Sequence, residues 1–250
     1  KGDIIPSIVN PEIYFETNVK GTLNILEFAK KKKVKKIIYA ASSSCYGLAR
    51  VPTDENENIK CEYPYALSKF LGEQLMFHWS KVYKIKVNSI RIFNAYGTRV
   101  KTTGAYGAVF GVFFKQILEK KPITIVGDGN QKRDFVNVKD VANAFYLAAV
   151  SKVSNEVFNL GNGKPQSINK LIKILNYPKK IYLPTRPGEP KVTWANNNKI
   201  VKKLGWKPQI NFEDGVKEMK SEIYKWKNAP LWNKKKILKA TKIWFKYLKK

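Results

Sequence analysis

Histidine, methionine, cysteine and arginine are all scarce in this chain of 250 residues, and each shortage removes a class of chemistry. The single histidine, His78, has no second histidine as a metal partner, and it falls in an ordinary amphipathic segment that reads as packing. That placement argues against a serine–histidine triad. Two cysteines, Cys45 and Cys61, make neither a disulfide framework nor a zinc spacing, which suits a reduced, cytoplasmic protein without a bound metal. No apolar run reaches the about 18 residues that a membrane-spanning helix needs, and no secretory signal peptide is expected.

Acidic residues are few as well: 19 Asp and Glu stand against 47 Lys and Arg, for a net charge of +28. Such an excess raises nucleic acid or an anionic membrane surface as a partner. Only five of the 47 basic residues are arginine, however: Arg50, Arg91, Arg99, Arg133 and Arg186. Nucleic-acid readers lean on arginine for bidentate and stacked contacts. The lysines are scattered, with short runs at residues 30–33 and 234–236, and read as diffuse basicity. Nucleic acid is disfavoured as a partner.

What is present is an alternation of short apolar runs with helical periodicity. A helix over residues 21–31 leads to a buried strand over 34–41, a helix over 66–82 and a strand over 87–93. A helix over 108–119, a short strand over 123–126, a helix over 138–150 and a strand over 156–160 follow. This order predicts a parallel sheet of βα units. Beyond residue 164, short helices alternate with Pro-containing connections, as in a smaller, irregular lobe. The last 20 residues form a basic amphipathic helix carrying Ile237, Leu238, Ile243, Trp244, Tyr247 and Leu248. Its apolar stripe suits docking on its own protein better than a membrane surface.

Tyr65-Ala66-Leu67-Ser68-Lys69 places a phenol and an ammonium one turn apart on one helix face. A free tyrosine titrates near roughly 10, too high for a base at neutral pH, and a neighbouring cation lowers that value. Upstream, the strand over 34–41 runs into the hydroxyl cluster Ser42-Ser43-Ser44. The next strand ends likewise in Arg91-Ile92-Phe93-Asn94-Ala95-Tyr96-Gly97. Open α/β sheets bind ligands at such carboxyl ends. Gly127-Asp128-Gly129, then Arg133-Asp134-Phe135, and later Arg186-Pro187-Gly188-Glu189 complete the series.

With these motifs, from about Ile4 to Trp206, the chain resembles the extended short-chain dehydrogenase/reductases, in their UDP-glucose 4-epimerase-like branch. The resemblance implies a Rossmann-type, doubly wound parallel sheet whose first part is missing, with a smaller C-terminal substrate-binding lobe. Residues 1–97 would be the remainder of the NAD-binding domain, with 133–160 returning to it. Residues 98–132 and 161–230 would form the substrate lobe, and 231–250 the basic C-terminal helix. It further implies bound NAD, a UDP-sugar substrate and a homodimer. Tyr65 becomes the catalytic base, Lys69 the holder of the nicotinamide ribose, and Ser42 a hydrogen-bond partner of the sugar 4-oxygen. Thr17 and Phe93 match cofactor contacts. Asn94, Arg133 and Arg186 match substrate contacts, the two arginines on the diphosphate, and Glu189 matches an acidic residue on the uridine ribose. Arginine forks suit phosphate oxygens on independent grounds.

The implied reaction is inversion at C4 through a transient 4-keto sugar. Related dehydratases carry Asp-Glu after the catalytic hydroxyl residue, and decarboxylating relatives a Glu, where this chain has Ser43-Ser44. Elimination then lacks an obvious proton donor, whereas epimerisation needs only Tyr65 and hydride. Thr193 falls where some epimerases place a bulky Tyr, so UDP-N-acetylhexosamines are expected beside UDP-glucose and UDP-galactose. The segment 99–106 could instead read a sugar carboxylate, which keeps a UDP-glucuronate 4-epimerase open, along with other nucleotide-sugar dehydratase or decarboxylase chemistry. The family's glycine-rich pyrophosphate loop is absent, and the spacing Gly104, Gly107, Gly111 falls too late to replace it. About 70–80 residues of the Rossmann layer are expected upstream of Lys1. A basic nucleic-acid-binding module is the contrasting reading; it predicts affinity that collapses with salt and no need for Tyr65.

Overall fold

Three apolar runs, Lys36–Ser42, Lys86–Ile92 and Glu156–Leu160, pair in parallel and in that order at the centre of the molecule. The computed structural model describes residues 1–100 and 109–248. Side chains alternate across the sheet, so both faces need cover. On one face Tyr39 and Val87 pack with Leu26 and Met76, from the helices Gly21–Lys31 and Pro64–Tyr83. On the other, Ile90, Phe158 and Leu160 pack with Ala144 and Ala148 of the helix Val138–Val150, and with Trp206. Helices on opposite faces make this a doubly wound, Rossmann-type α/β sheet.

Local chemistry sets the element ends that matter. Pro64 opens its helix at the position where a missing N–H costs nothing, and Lys84 closes it in the left-handed region, at φ 59°. A Cβ at Gly72 would run into the Tyr39 hydroxyl, so glycine lets this helix lie close on the sheet. The first strand extends one residue further than the sequence predicts and ends on Ser42.

A second body of apolar residues joins Phe114, Ile123, Leu171, Leu175, Val216 and Trp226. It is built on the parallel pair Ile123–Val126 and Lys180–Leu183, with the helices Val109–Leu118, Ile168–Leu175 and Phe212–Ser221 around it. The strand Lys180–Leu183 is a departure from the expected run of short helices. The helices Ile4–Val9 and Glu12–Phe15 and the π-turn Glu16–Lys20 are likewise additions to the sequence reading. The C-terminal helix spans Lys234–Tyr247, capped by Asn233, and buries Ile237, Thr241 and Trp244 on one side. His78 corrects an expectation: it is exposed, edge-on to Trp79 at 5.9 Å, and packs in no core. Among the described residues no helix is long and apolar enough to cross a membrane.

Candidate active site

Ser42 ends its strand and caps the short turn Ser43–Tyr46, its hydroxyl oxygen accepting from the Ser44 N–H at 3.2 Å. That fixes the hydroxyl at the carboxyl edge of the sheet. Tyr65, in the first turn of the helix Pro64–Tyr83, lines the same cleft as Ser42. Burial pushes the Tyr65 phenol above its ordinary value, and the neighbouring Ser42 hydroxyl works against that shift. A depressed Tyr65, expected from the nearby Lys69, is therefore not what the protein alone produces. Lys69 lies one turn on, half-buried, with its ammonium 4.4 Å over the Tyr39 ring. Burial brings Lys69 down to about 8, with Glu73 opposing.

Ser42 and Tyr65 open into a cleft of about 450 Å³. Phe93, Asn94, Arg133, Arg186, Glu189 and Thr193 line the same cleft, so eight residues singled out in the sequence meet in one place. Arg133 donates to Glu189 at 2.7 Å and to the Pro190 carbonyl at 2.8 Å, and Arg186 stands 3.7 Å from the same carboxylate. Two guanidinium groups thus share one carboxylate. Thr193 donates to the Asn94 side-chain oxygen at 2.8 Å and accepts from the Asp134 N–H at 3.0 Å. The apolar wall comes from Val109, Phe110 and Phe113, and Gly2 to Ile5 border the side near Tyr65.

Thr17 is not brought to this cleft; it is exposed on the π-turn. Lys69 stands behind Tyr65 and outside the lining. Arg91, part of a strand-end motif, points into the protein, to Glu73 and to the Tyr46 hydroxyl. Of the segment 99–106, residues 101–106 lie outside the described residues, as do Gly104 and Gly107 of the glycine spacing. Two aromatic residues were missed. Tyr63 stacks on Tyr65 with ring centroids 6.4 Å apart, and Trp244 of the C-terminal helix meets Tyr63 at 6.3 Å. Tyr63 had a signal, its place beside Tyr65, while nothing local in the sequence marks Trp244.

The residues present fit the nicotinamide–ribose end of NAD. A hydroxyl, a phenol and, one turn on, an ammonium follow one another from the sheet edge along one helix. The ammonium is held by burial and an aromatic face, a setting suited to ribose hydroxyls.

Residues 2–161 match the NAD dependent epimerase/dehydratase family. The chain belongs to that family. It is 37% identical over 218 residues to a UDP-glucuronate 4-epimerase of Thermodesulfobacterium geofontis, an alignment covering 84% of this chain and 66% of that protein. The chain thus spans slightly less than two thirds of that relative. The UDP-glucose 4-epimerase of Thermotoga maritima, solved with UDP-glucose, superposes with a TM-score of 0.83 at 32% identity, over 89% of this chain and 74% of that one. A UDP-N-acetylglucosamine 4-epimerase of Methanobrevibacter ruminantium, in complex with UDP-N-acetylmuramic acid, gives 0.82 at 31% identity, over 90% and 73%.

Proposed function

We propose that the protein acts as an NAD-dependent nucleotide-sugar 4-epimerase, inverting C4 of UDP-glucose and UDP-galactose and accepting UDP-N-acetylhexosamines. The observation that carries the reading is the meeting of Tyr65 and Ser42 in one cleft that also holds Arg133 and Arg186. Proton chemistry and anion recognition are thereby set in one space.

Tyr65, as the phenolate that the positive charge of bound NAD would favour against burial, accepts the proton of the sugar 4-hydroxyl, with Ser42 holding that oxygen in line. NAD, when bound, supplies the place to which hydride leaves from C4 and from which it returns. Lys69, Tyr65 and Ser42 hold the nicotinamide end, and Phe93 adds a cofactor contact. Arg133 and Arg186 grip the diphosphate while the 4-keto sugar turns its other face to the same groups. Glu189 is then free for the ribose hydroxyls of uridine, and Asn94 and Thr193 face the sugar. Tyr65 finally returns the proton to O4, so the cycle leaves no net change in protonation. Positions 43 and 44 offer hydroxyls alone, which supports epimerisation over elimination.

In this reading, residues 1–97 and 133–160 serve the cofactor, and 98–132 and 161–230 serve the sugar nucleotide. A cytoplasmic homodimer is part of the proposal. Free thiols at Cys45 and Cys61 suit a reducing compartment, and exposed Ile25, Phe28, Leu67 and Val82 on two neighbouring helices suit a self-contact.

The test is chromatography of UDP-sugars after incubation of the full-length protein with NAD, as wild type and as Tyr65→Phe. UDP-glucose should yield UDP-galactose, and the substitution should cut the rate by about 100-fold or more. Turnover of UDP-glucose without UDP-N-acetylglucosamine would remove the N-acetyl part of the reading. Conversion of UDP-glucuronate alone would reassign the sugar. No C4 epimer from any of the three would overturn the proposal.

A further inference from the structure

We propose that the C-terminal helix Lys234–Tyr247 is a working wall of the sugar-nucleotide site, and that Trp244 positions Arg186 on the substrate's diphosphate. The assignment rests on the nucleotide-sugar reading and adds a positioning residue to it. Trp244 is only 4% exposed, yet its indole borders the cleft that holds Tyr65. Its Nε1–H donates to the Pro187 carbonyl at 2.7 Å, and the Arg186 guanidinium carbon lies 5.6 Å from its ring centroid. One indole therefore fixes both the backbone of the arginine loop and the charged head of the arginine. Tyr63 touches the same indole at 6.3 Å and stacks on Tyr65, so a row of rings joins the phosphate-facing arginine to the base.

Core packing alone does not account for this arrangement. Ile237 already anchors the helix in the apolar body around Phe114 and Trp226. Trp244, seven residues on, spends its N–H and its face on residues 186 and 187 instead. A long, flexible arginine loses rotamer freedom on gripping a phosphate, and a cation–π contact made beforehand removes much of that cost. The gain is realised in binding, before any chemistry.

The experiment measures Kd of UDP and of uridine by calorimetry on the full-length protein, as wild type, Trp244→Leu, Trp244→Phe, Arg186→Met and the Trp244→Leu/Arg186→Met pair. Trp244→Leu should weaken UDP by about tenfold while uridine changes by less than about twofold, since only UDP carries the diphosphate. KM for the UDP-sugar should rise in step, with kcat unchanged. In the Arg186→Met background the leucine change should add nothing. Trp244→Phe keeps a ring and loses the bond to Pro187, and should weaken UDP about threefold. That variant decides the matter should the leucine variant fail to fold. Unchanged UDP affinity, equal weakening of UDP and uridine, or additive effects with Arg186→Met would each overturn the assignment. A wild type that binds no UDP would sink the nucleotide-sugar reading itself, a result distinct from any of these.

Discussion

Arg133 and Glu189 meet across the cleft at 2.7 Å, with 11% and 24% of their side chains exposed. Arg186 approaches the same carboxylate at 3.7 Å, so two positive charges face one negative charge. In the proposed reading, a diphosphate entering here exchanges partners with Glu189 on Arg133 and Arg186. Arg133→Met is expected to raise KM for the UDP-sugar by roughly 10- to 100-fold, the worth of a hydrogen bond between charged groups. In the proposed reading Arg133 grips the diphosphate and not the reacting carbon, so kcat should move little. Initial rates against substrate concentration check this, and a fall in kcat at constant KM would contradict it.

Lys69 gives the pH dependence. Burial lowers its pKa from 10.5 to about 8, so between those values the unfolded chain binds the extra proton. Stability therefore rises with pH across that window, and below about 8 the native state carries the cost of a buried ammonium. Lys69→Met is expected to lose most turnover while melting no lower than wild type at neutral pH. The difference in melting temperature between the two should then shift in favour of wild type as pH climbs through the window. Melts at a series of pH values, beside activity, check both halves.

Arg91 and Glu73 form a buried pair at 2.6 Å, with side chains 6% and 1% exposed. Ser89 donates to the same carboxylate at 2.6 Å and Tyr46 accepts from Arg91 at 2.8 Å, which leaves the network satisfied. Removing one member strands the other charge. Glu73→Ala is expected to cost about 3–5 kcal/mol of folding stability, measured by urea unfolding. Replacing both by apolar residues of similar volume should cost much less, because no orphan charge remains.

That pair also shows what could be read from the residues. Tyr65, Lys69 and Ser42 were legible because their spacing is local and successive parallel strands end on one edge of a sheet. Arg133, Arg186 and Glu189 were read from the resemblance of their motifs, and the scarcity of arginine in a lysine-biased chain supported the two arginines independently. Glu73 was not legible: in the pattern of its helix it looks like a surface carboxylate, and only the strand beneath it buries it. The strand Lys180–Leu183 escaped notice because four residues opening on a lysine carry little periodicity, and its partner Ile123–Val126 lies far away in sequence. Trp244 escaped for the same reason. Its contacts run to residues 63, 186 and 187, which no local pattern announces. The burial of Tyr65 was not legible because helix spacing gives the distance to a cation and says nothing of how deeply the phenol sits.

Asp134 joins the sheet to the Thr193 side of the cleft. Its carboxylate accepts from the backbone N–H groups of Asn162 at 2.6 Å, Ala195 at 2.8 Å and Gly163 at 3.0 Å, and it is fully buried. Its own N–H goes to the Thr193 hydroxyl, which in turn donates to Asn94. A carboxylate is acceptor-only, and this position needs acceptors on both sides. Asp134→Asn exchanges one oxygen for an NH2 that faces N–H donors, leaving them unpaired in the interior. The expected cost is about 2–4 kcal/mol in urea unfolding. Since Ala195 then loses its acceptor beside Thr193, the surviving folded enzyme should also show a raised KM. A stability loss with KM unchanged would mean that the anchor and the sugar wall are independent.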